Sequence, residues 1–389
     1  MRQLLKTIKV SRREIGRIAG SPIYLFCMVA APTFCFILFA TLMHEGLPQQ
    51  LPVAIVDADN TPTTRNIARN LDAMQQCHVV ARHANISDAT EAMRKGDIYA
   101  FYYFPKGTTD ALTEGRRPTV SYYLNYSYLV AGSLTYRDMY ITSLLANGAI
   151  GESTLLAKGA TKREAYTFVQ PIIIDTHPLG NPWLSYAVYL NNTLYPGVLS
   201  LLIILLTAYS VTIEIKERRA KEWLQLSENS ILLAVTGKLI PHTFIFFLTA
   251  LFYNVYLYEY LHFPNHDGFG SMLLASLSLI LASQSLGLFF ACLLPSPRWS
   301  MSIASLWGVV SFSISGFSFP IEGMSGITKT LTNLFPLRHY FMIYCNQALS
   351  GYPISYSSYH YAALLLFCLL PLLFMKRLKK ALEHYPYIE

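Results

Sequence analysis

The sequence is short of charge. Only 14% of its 389 residues are Asp, Glu, Lys or Arg, against about 25% in an ordinary soluble domain. The deficit is uneven, because several windows reach the roughly 18–20 apolar residues that cross a bilayer core as helix. Soluble-enzyme templates are thereby mostly excluded. Cysteine is sparse and unpaired in pattern. None of the six (Cys27, Cys35, Cys77, Cys292, Cys345, Cys368) forms a C-x-x-C, and only Cys77 lies in a long polar region. No disulfide framework is implied there, and the others read as small buried apolar residues. H-E-x-x-H is absent. A phosphate-cradling G-x-x-x-x-G-K-[ST] loop is also absent: at the nearest match, "LAVTGKL", Leu232 holds the first glycine position and Leu239 the Ser/Thr position. Gly237 reads instead as permission for a tight bend. No internal repeat or low-complexity tract occurs.

What is present is hydrophobic: 53% of residues, with a net charge of +7. The basic residues flank the apolar runs, which points to membrane topology rather than nucleic acid. The first run, 22–43, is longer than a secretory h-region of about 7–15 residues and has no small-residue cleavage site, so it reads as a retained span. Five more spans fall near 191–213, 239–261, 271–294, 300–319 and 360–375. The basic N-tail, Lys216, Arg218, Arg219, Lys221 and Lys238, the Arg298 loop, and Lys376, Arg377, Lys379 and Lys380 then share one side, expected to be the cytoplasm. Residues 1–20 place Leu4, Leu5, Ile8, Ile15 and Ile18 near one face among basic residues, as in an amphipathic helix on an anionic leaflet. A frayed basic tail is the alternative.

Between the first two spans, strand and helix patterns alternate. Strands are expected at "LPVAIVDAD", "CHVVARH", "IYAFYYFP", "PTVSYYLNY" and "PIIIDTHPLGN". Helices are expected at "TPTTRNIARNLDAM", "ISDATEAMRKGD" and "TTDALTEG", and along 128–170, the second opening on a near miss to a capping box. The fold class is a membrane protein with an all-α six-helix transmembrane domain and an inserted extracytoplasmic α/β domain. The expected divisions are 1–20, an amphipathic helix; 21–43, the first span; 44–188, the α/β domain; 189–375, spans two to six; and 376–389, a cytoplasmic tail. Segment 320–358, rich in Pro and Gly, suggests short re-entrant or interfacial helices.

Embedded carboxylates, the mark of an ion-driven carrier, are reduced to Glu259 near a span end. His262 and His266 are interrupted by Pro264 and read as an interfacial loop rather than a metal site. Small residues in the fourth and fifth spans permit close helix packing, or line a substrate path. Ser305, Ser311, Ser315 and Asn192 are the residues placed on such a path or at a dimer interface.

The densest charge lies in "EIKERRAKEWLQLSENSILLAVTGK", 214–238, between two uncharged runs. It reads as a solvated helix with i,i+4 pairs, or as a lever gripped by a partner. With "LIPH" after it, this stretch resembles the coupling segment of bacterial ABC-2 type permeases, the membrane subunits of ATP-binding-cassette exporters. It is most similar to their drug- and lipid-exporter branch, which carries a large domain between the first two spans. "VAIVDADNTPTTRNIARNLDA", "LGNPWLSYAVYLNNTLYPGVL" and "GFSFPIEGMSGITKTLTNLFPLRHYFMIYCNQALSG" resemble further blocks of that branch, in the same order. Ala220-Lys221 stands where the family has Gly-Thr. The resemblance implies that Glu217, Arg218, Arg219, Lys221, Glu222 and Leu224 couple to a separate ATPase subunit. ATP and Mg would bind that partner, and this chain would hold no cofactor. It also implies a second permease subunit, identical or paralogous, and an inner-membrane location with both termini cytoplasmic. In Gram-negative exporters a periplasmic adaptor is a further partner. The substrate would be hydrophobic or amphiphilic. A membrane-anchored sensor and an ion-coupled efflux carrier are the competing classes.

Overall fold

A computed structural model describes residues 2–384. They form two compact units, Leu47–His177 and the remainder. The chain starts with α1 (Arg2–Gly20), then α2 (Pro22–Leu25), which runs through a π-helical turn into α3 (Ala31–Leu42). Leu4, Leu5, Ile8 and Ile15 are exposed on α1, while Val10 and Glu14 on another face are buried. The helix therefore presents an outer surface in which these apolar side chains stand beside exposed Lys9 and Arg12, and it packs through a partly polar face.

The inserted unit contains β1 (Leu51–Asp57), α4 (Pro62–Asp72), β2 (Cys77–His83), α5 (Ile86–Lys95), β3 (Ala100–Phe104), α6 (Thr108–Thr113), β4 (Ser121–Leu124), α7 (Leu129–Ala157) and α8 (Lys162–Val169). Sheet order is β2-β1-β3-β4, with β1 parallel to β2 and β3 and β4 antiparallel to β3. Alternate residues of β1 serve opposite faces: Val53 and Ile55 join the core under α4 and α7, and Ala54 and Val56 that under α5. Burial on both faces accounts for the nearly continuous apolar run in β1. The start of α4 is a capping box between Thr61 and Thr64. The cap of α5 is Asn85, which accepts from the Asp88 amide at 2.8 Å, so the Ser-x-x-x-Glu near the start of that helix is not its cap. The strand expected at 171–181 does not form. Pro171 and Pro178 lack the amide that a ladder needs, and Ile172, Ile173 and Ile174 remain exposed.

After the inserted unit come α9 (Tyr186–Lys216), α10 (Ala220–Leu226), α11 (Ile231–Val255), α12 (Phe269–Leu293) and α13 (Pro297–Ile314). Short helices follow, α14 (Gly326–Leu331) and α15 (Pro336–Ile343), then α16 (Ser358–Phe367) and α17 (Met375–His384). Among the described residues, five helical stretches are long and apolar enough to cross a membrane: Pro22–Leu42, Tyr186–Lys216, Ile231–Tyr260, Phe269–Leu293 and Ile354–His384. The fifth span expected at 300–319 is not among these five: α13 covers only its first part, is 18 residues long, and begins with Pro297 and Arg298, which with its serines lower its hydropathy. The six-span count therefore rests on α13 crossing despite this composition. α9 is buried along most of its length and forms the hub, packing against α12 and α13.

Two boundaries shift with consequences. The second span extends to Lys216 and the third begins at Ile231, so most of 214–238 is not one solvated helix. Only α10 and its flanking turns separate the two spans. The tail beyond 375 continues as α17, whose Met375, Leu378, Ala381 and Leu382 are buried; residues 385–389 lie outside the described residues.

Candidate functional site

The segment linking α9 to α11 is held by backbone geometry and by a buried charge cluster. α9 ends when Arg218 takes a left-handed conformation, φ 60°. The Arg219 amide then bonds Glu214 O at 2.9 Å and the Arg218 amide bonds Ile215 O at 3.1 Å, which satisfies the last carbonyls. α10 ends similarly, with Glu228 and Asn229 left-handed and the Asn229 amide on Leu224 O at 2.9 Å. Between these turns Ala220, Trp223 and Leu224 point inward, and Trp223 is fully buried. They join one apolar cluster with Val10 of α1, Ala234 and Val235 of α11, and Leu378 of α17. The Trp223 indole donates to Ala234 O at 3.2 Å.

Beneath α10 lies the charge. Lys238 is fully buried, with its Nζ 2.6 Å from Glu14 Oε2 and 2.7 Å from Glu214 Oε1. That ammonium also sits 4.9 Å from the Trp223 ring centroid, within cation–π range. His242, one turn along α11, contacts Glu14 Oε1 at 3.0 Å. Arg13 grips Glu214 with both terminal guanidinium nitrogens, Nη1 and Nη2, at 2.8 and 3.0 Å, a paired geometry that a lysine could not supply. Arg17 pairs with Glu214 as well, and reaches Glu217 at 3.1 Å. At the rim Arg13 Nε lies 3.4 Å from Glu222.

The helices approach closely enough for this because Gly237 has no side chain. A Cβ there would lie 2.8 Å from Val10 Cβ and 3.0 Å from Thr7 O. Ser11 uses the same approach to donate to Gly237 O at 2.7 Å. Gly237 is thus a helix-contact glycine inside α11, and the tight bend expected at it is absent.

Charges so buried persist only when paired. Burial alone would raise the Glu14 carboxyl, but the Lys238 charge and His242 hold it down to about 2. Burial disfavours the Arg13 cation, yet Glu214 and Glu222 offset this, and its pKa lies above the usual guanidinium value. The same balance, led by burial and then Glu214, raises Arg17. The cluster therefore fastens α1, α9 and α11 together in charged form.

The residues expected to couple divide by exposure. Leu224 is buried in the apolar cluster. Glu217 caps α9 and pairs with Arg17. Arg218, Arg219, Lys221 and Glu222 are exposed on the turn and outer face of α10. Arg219 lies 3.7 Å from Glu217. Ala220, at the family's Gly-Thr position, is the buried first residue of α10.

The serines set on a path or dimer interface occupy several environments. Ser311 and Ser315 are buried and bond carbonyls of their own helix. Gly308, beside them, meets Leu201 of α9, where a Cβ would come within 2.3 Å of Leu201 Cδ1. Ser305 is half-buried and bonds Ser302 O at 2.9 Å. Asn192 is in the bundle interior, accepting from the Tyr258 hydroxyl at 2.7 Å. The Ser311–Ser315 face of α13 is thus packed within this chain, and its exposed face carries Leu306 and Val309.

Sequence reasoning missed the core of the cluster. Glu14 and His242 lie outside the charged stretch 214–238, and Glu214 and Lys238 read from the sequence as loop charges. A signal existed. Val10, Glu14 and Arg17 recur at i, i+4, i+7, and Lys238 and His242 at i, i+4, so each set shares a helix face. Glu14 is also the lone acid in a basic segment.

A bundle of apolar helices, a mixed-sheet unit inserted after the first, and a charge-clamped link between two spans define a multi-pass membrane protein. A family model for ABC-2 family transporter proteins matches residues 22–375. The chain belongs to that family and is a transport membrane protein. No match was found among curated proteins.

Proposed function

We propose that this chain is the permease subunit of an ATP-binding-cassette exporter. It moves a hydrophobic or amphiphilic substrate out of the cytoplasm or inner leaflet, driven by ATP hydrolysis on a separate subunit that binds ATP and Mg. The observation that carries the proposal is the mounting of α10. This seven-residue helix sits between the ends of two spans, and its apolar side is locked to α1 and α17. Directly below it, Lys238 and Glu214 tie α11 to α9. A push on α10 would therefore move both spans together, with little loss in a compliant loop.

On this reading the basic ends of the spans face the cytoplasm of an inner-membrane protein, as the positive-inside rule requires. Arg218, Arg219, Lys221 and Glu222 are the surface offered to the ATPase. A second permease subunit, identical or paralogous, completes the pathway, α13 serves as the sixth span, and the inserted unit lies outside, where an adaptor could meet it. The ion-coupled alternative loses support because the buried carboxylates outside the inserted unit, Glu14 and Glu214 among the described residues, are bound to Lys238, and Glu259 is exposed at its span end. Purification of the tagged chain with its binding partners, followed by reconstitution in liposomes, tests the proposal. An ATP-binding subunit should copurify, and Arg218→Glu with Arg219→Glu should uncouple hydrolysis from export. Absence of any ATPase subunit or activity would sink the reading.

A further inference from the structure

The inserted unit contains an open cleft. Near its middle α7 stays close to the sheet: the fully buried Met139 packs in the core, and Tyr102 and Ser143 hydroxyls meet at 2.7 Å. Beyond this point, between α7, α6 and the β3–β4 edge, a cleft of about 630 Å³ opens. That is within the range of small-molecule sites, about 300–1,000 Å³. One wall is a single face of α7, with Tyr140, Leu144, Asn147 and Ile150 at helical spacing. The facing wall is Ile67 of α4 with Phe104 and Tyr122 of the sheet. These walls set aromatic and aliphatic side chains beside the polar groups of Thr64, Ser143 and Asn147, so the cleft is about as polar as it is apolar.

The remaining wall is cationic. Arg116 and Arg117, in the turn between α6 and β4, both line the cleft, and no Asp or Glu does. Arg116 is engaged by Glu114, its Nε 2.7 Å from Oε2. Arg117 has no ion-pair partner among the described residues. Aromatic and aliphatic walls interspersed with hydroxyls, with a guanidinium at one side, match a molecule with an anionic head and a partly apolar body.

We infer that this cleft binds an anionic amphiphile, with the head on Arg117 and the apolar body between α7 and the β3–β4 edge. The inference does not rest on the permease reading, since binding is measured without ATP or a partner subunit. The test uses the full chain in phosphatidylcholine nanodiscs and three photoactivatable probes of one chain length: a diazirine-bearing palmitate, the matching alcohol and the matching trimethylammonium. Labelled peptides are mapped by mass spectrometry. Palmitate should label 140–150 saturably, and at least about tenfold more than either other probe, a difference worth ~1.4 kcal/mol. Arg117→Glu should remove that preference while amide exchange in β1 and β3 stays as in the wild type. Leu144→Trp, which fills the slot and leaves the cations intact, should suppress labelling at 140–150. Equal labelling by all three probes, labelling confined to the apolar spans, or a preference that survives Arg117→Glu would each overturn the inference.

Discussion

Replacing Lys238 with methionine keeps the volume of the side chain and removes its charge. In the native protein that ammonium sits 2.6 Å from Glu14 and 2.7 Å from Glu214. The two carboxylates are then affected unequally. Glu214 retains Arg13 and Arg17. Glu14, 1% exposed, retains His242 as its one direct side-chain partner among the described residues, with Arg13 and Arg17 at longer range. Breaking a buried pair by removing one partner costs about 3–5 kcal/mol, mostly through the charge left behind. Lys238→Met should therefore destabilise by about that amount. Glu14→Gln added to it removes the stranded charge and should restore at least ~2 kcal/mol, a non-additivity expected of direct partners. Unfolding by SDS in mixed micelles measures this, and Trp223, beneath which the ammonium sits, reports locally by fluorescence. A Lys238→Met protein within about 0.5 kcal/mol of wild type would refute the reasoning, as would a double mutant no more stable than Lys238→Met.

Other predictions follow from the same contacts. Glu14 is held at about 2 instead of its ordinary 4.5. Because its folded value is depressed, its contribution is complete above pH 4.5 and is lost as pH falls toward 2, on the order of 3 kcal/mol in all. The stability of Glu14→Gln should fall less steeply than that of wild type across this window; parallel curves would count against the assignment. Gly237→Val would thrust a side chain at Val10 and Thr7. It should cost about 1–3 kcal/mol and accelerate amide exchange in α1, and unchanged exchange there would show that the contact is not close in solution.

Local chemistry made much of this fold legible. The strands of the inserted unit announced themselves by apolar runs bounded by turn residues, as at Leu51–Asp57, and Thr61-Pro62 marked the start of α4. Five of the six expected spans coincide with helices long and apolar enough to cross a membrane. What failed depended on partners distant in sequence. Ile172–Ile174 looks like a strand, but the ladder it would need is absent and the flanking prolines oppose one. Lys238 and Glu214 looked solvated because charge usually is. Their burial depends on Glu14 and Arg13, more than 200 positions away. Gly237 looked like a bend because its role is set by Val10, on another helix. The family resemblance drew attention to α10 but not to the clamp beneath it, since the clamp uses residues outside the coupling segment.

The central claim is that α10 receives force from an ATP-binding subunit. It is tested most directly by placing a photo-crosslinker there, Lys221→p-benzoylphenylalanine, in membranes of cells that express the whole transporter. Lys221 is exposed, so the probe need not disturb the clamp. Irradiation should give an adduct of this chain with an ATP-binding subunit, and the same probe at exposed Ile240 on α11 should not. If the probe at 221 gives no such adduct in membranes where ATP-driven export persists, α10 is not the docking element and the account is wrong.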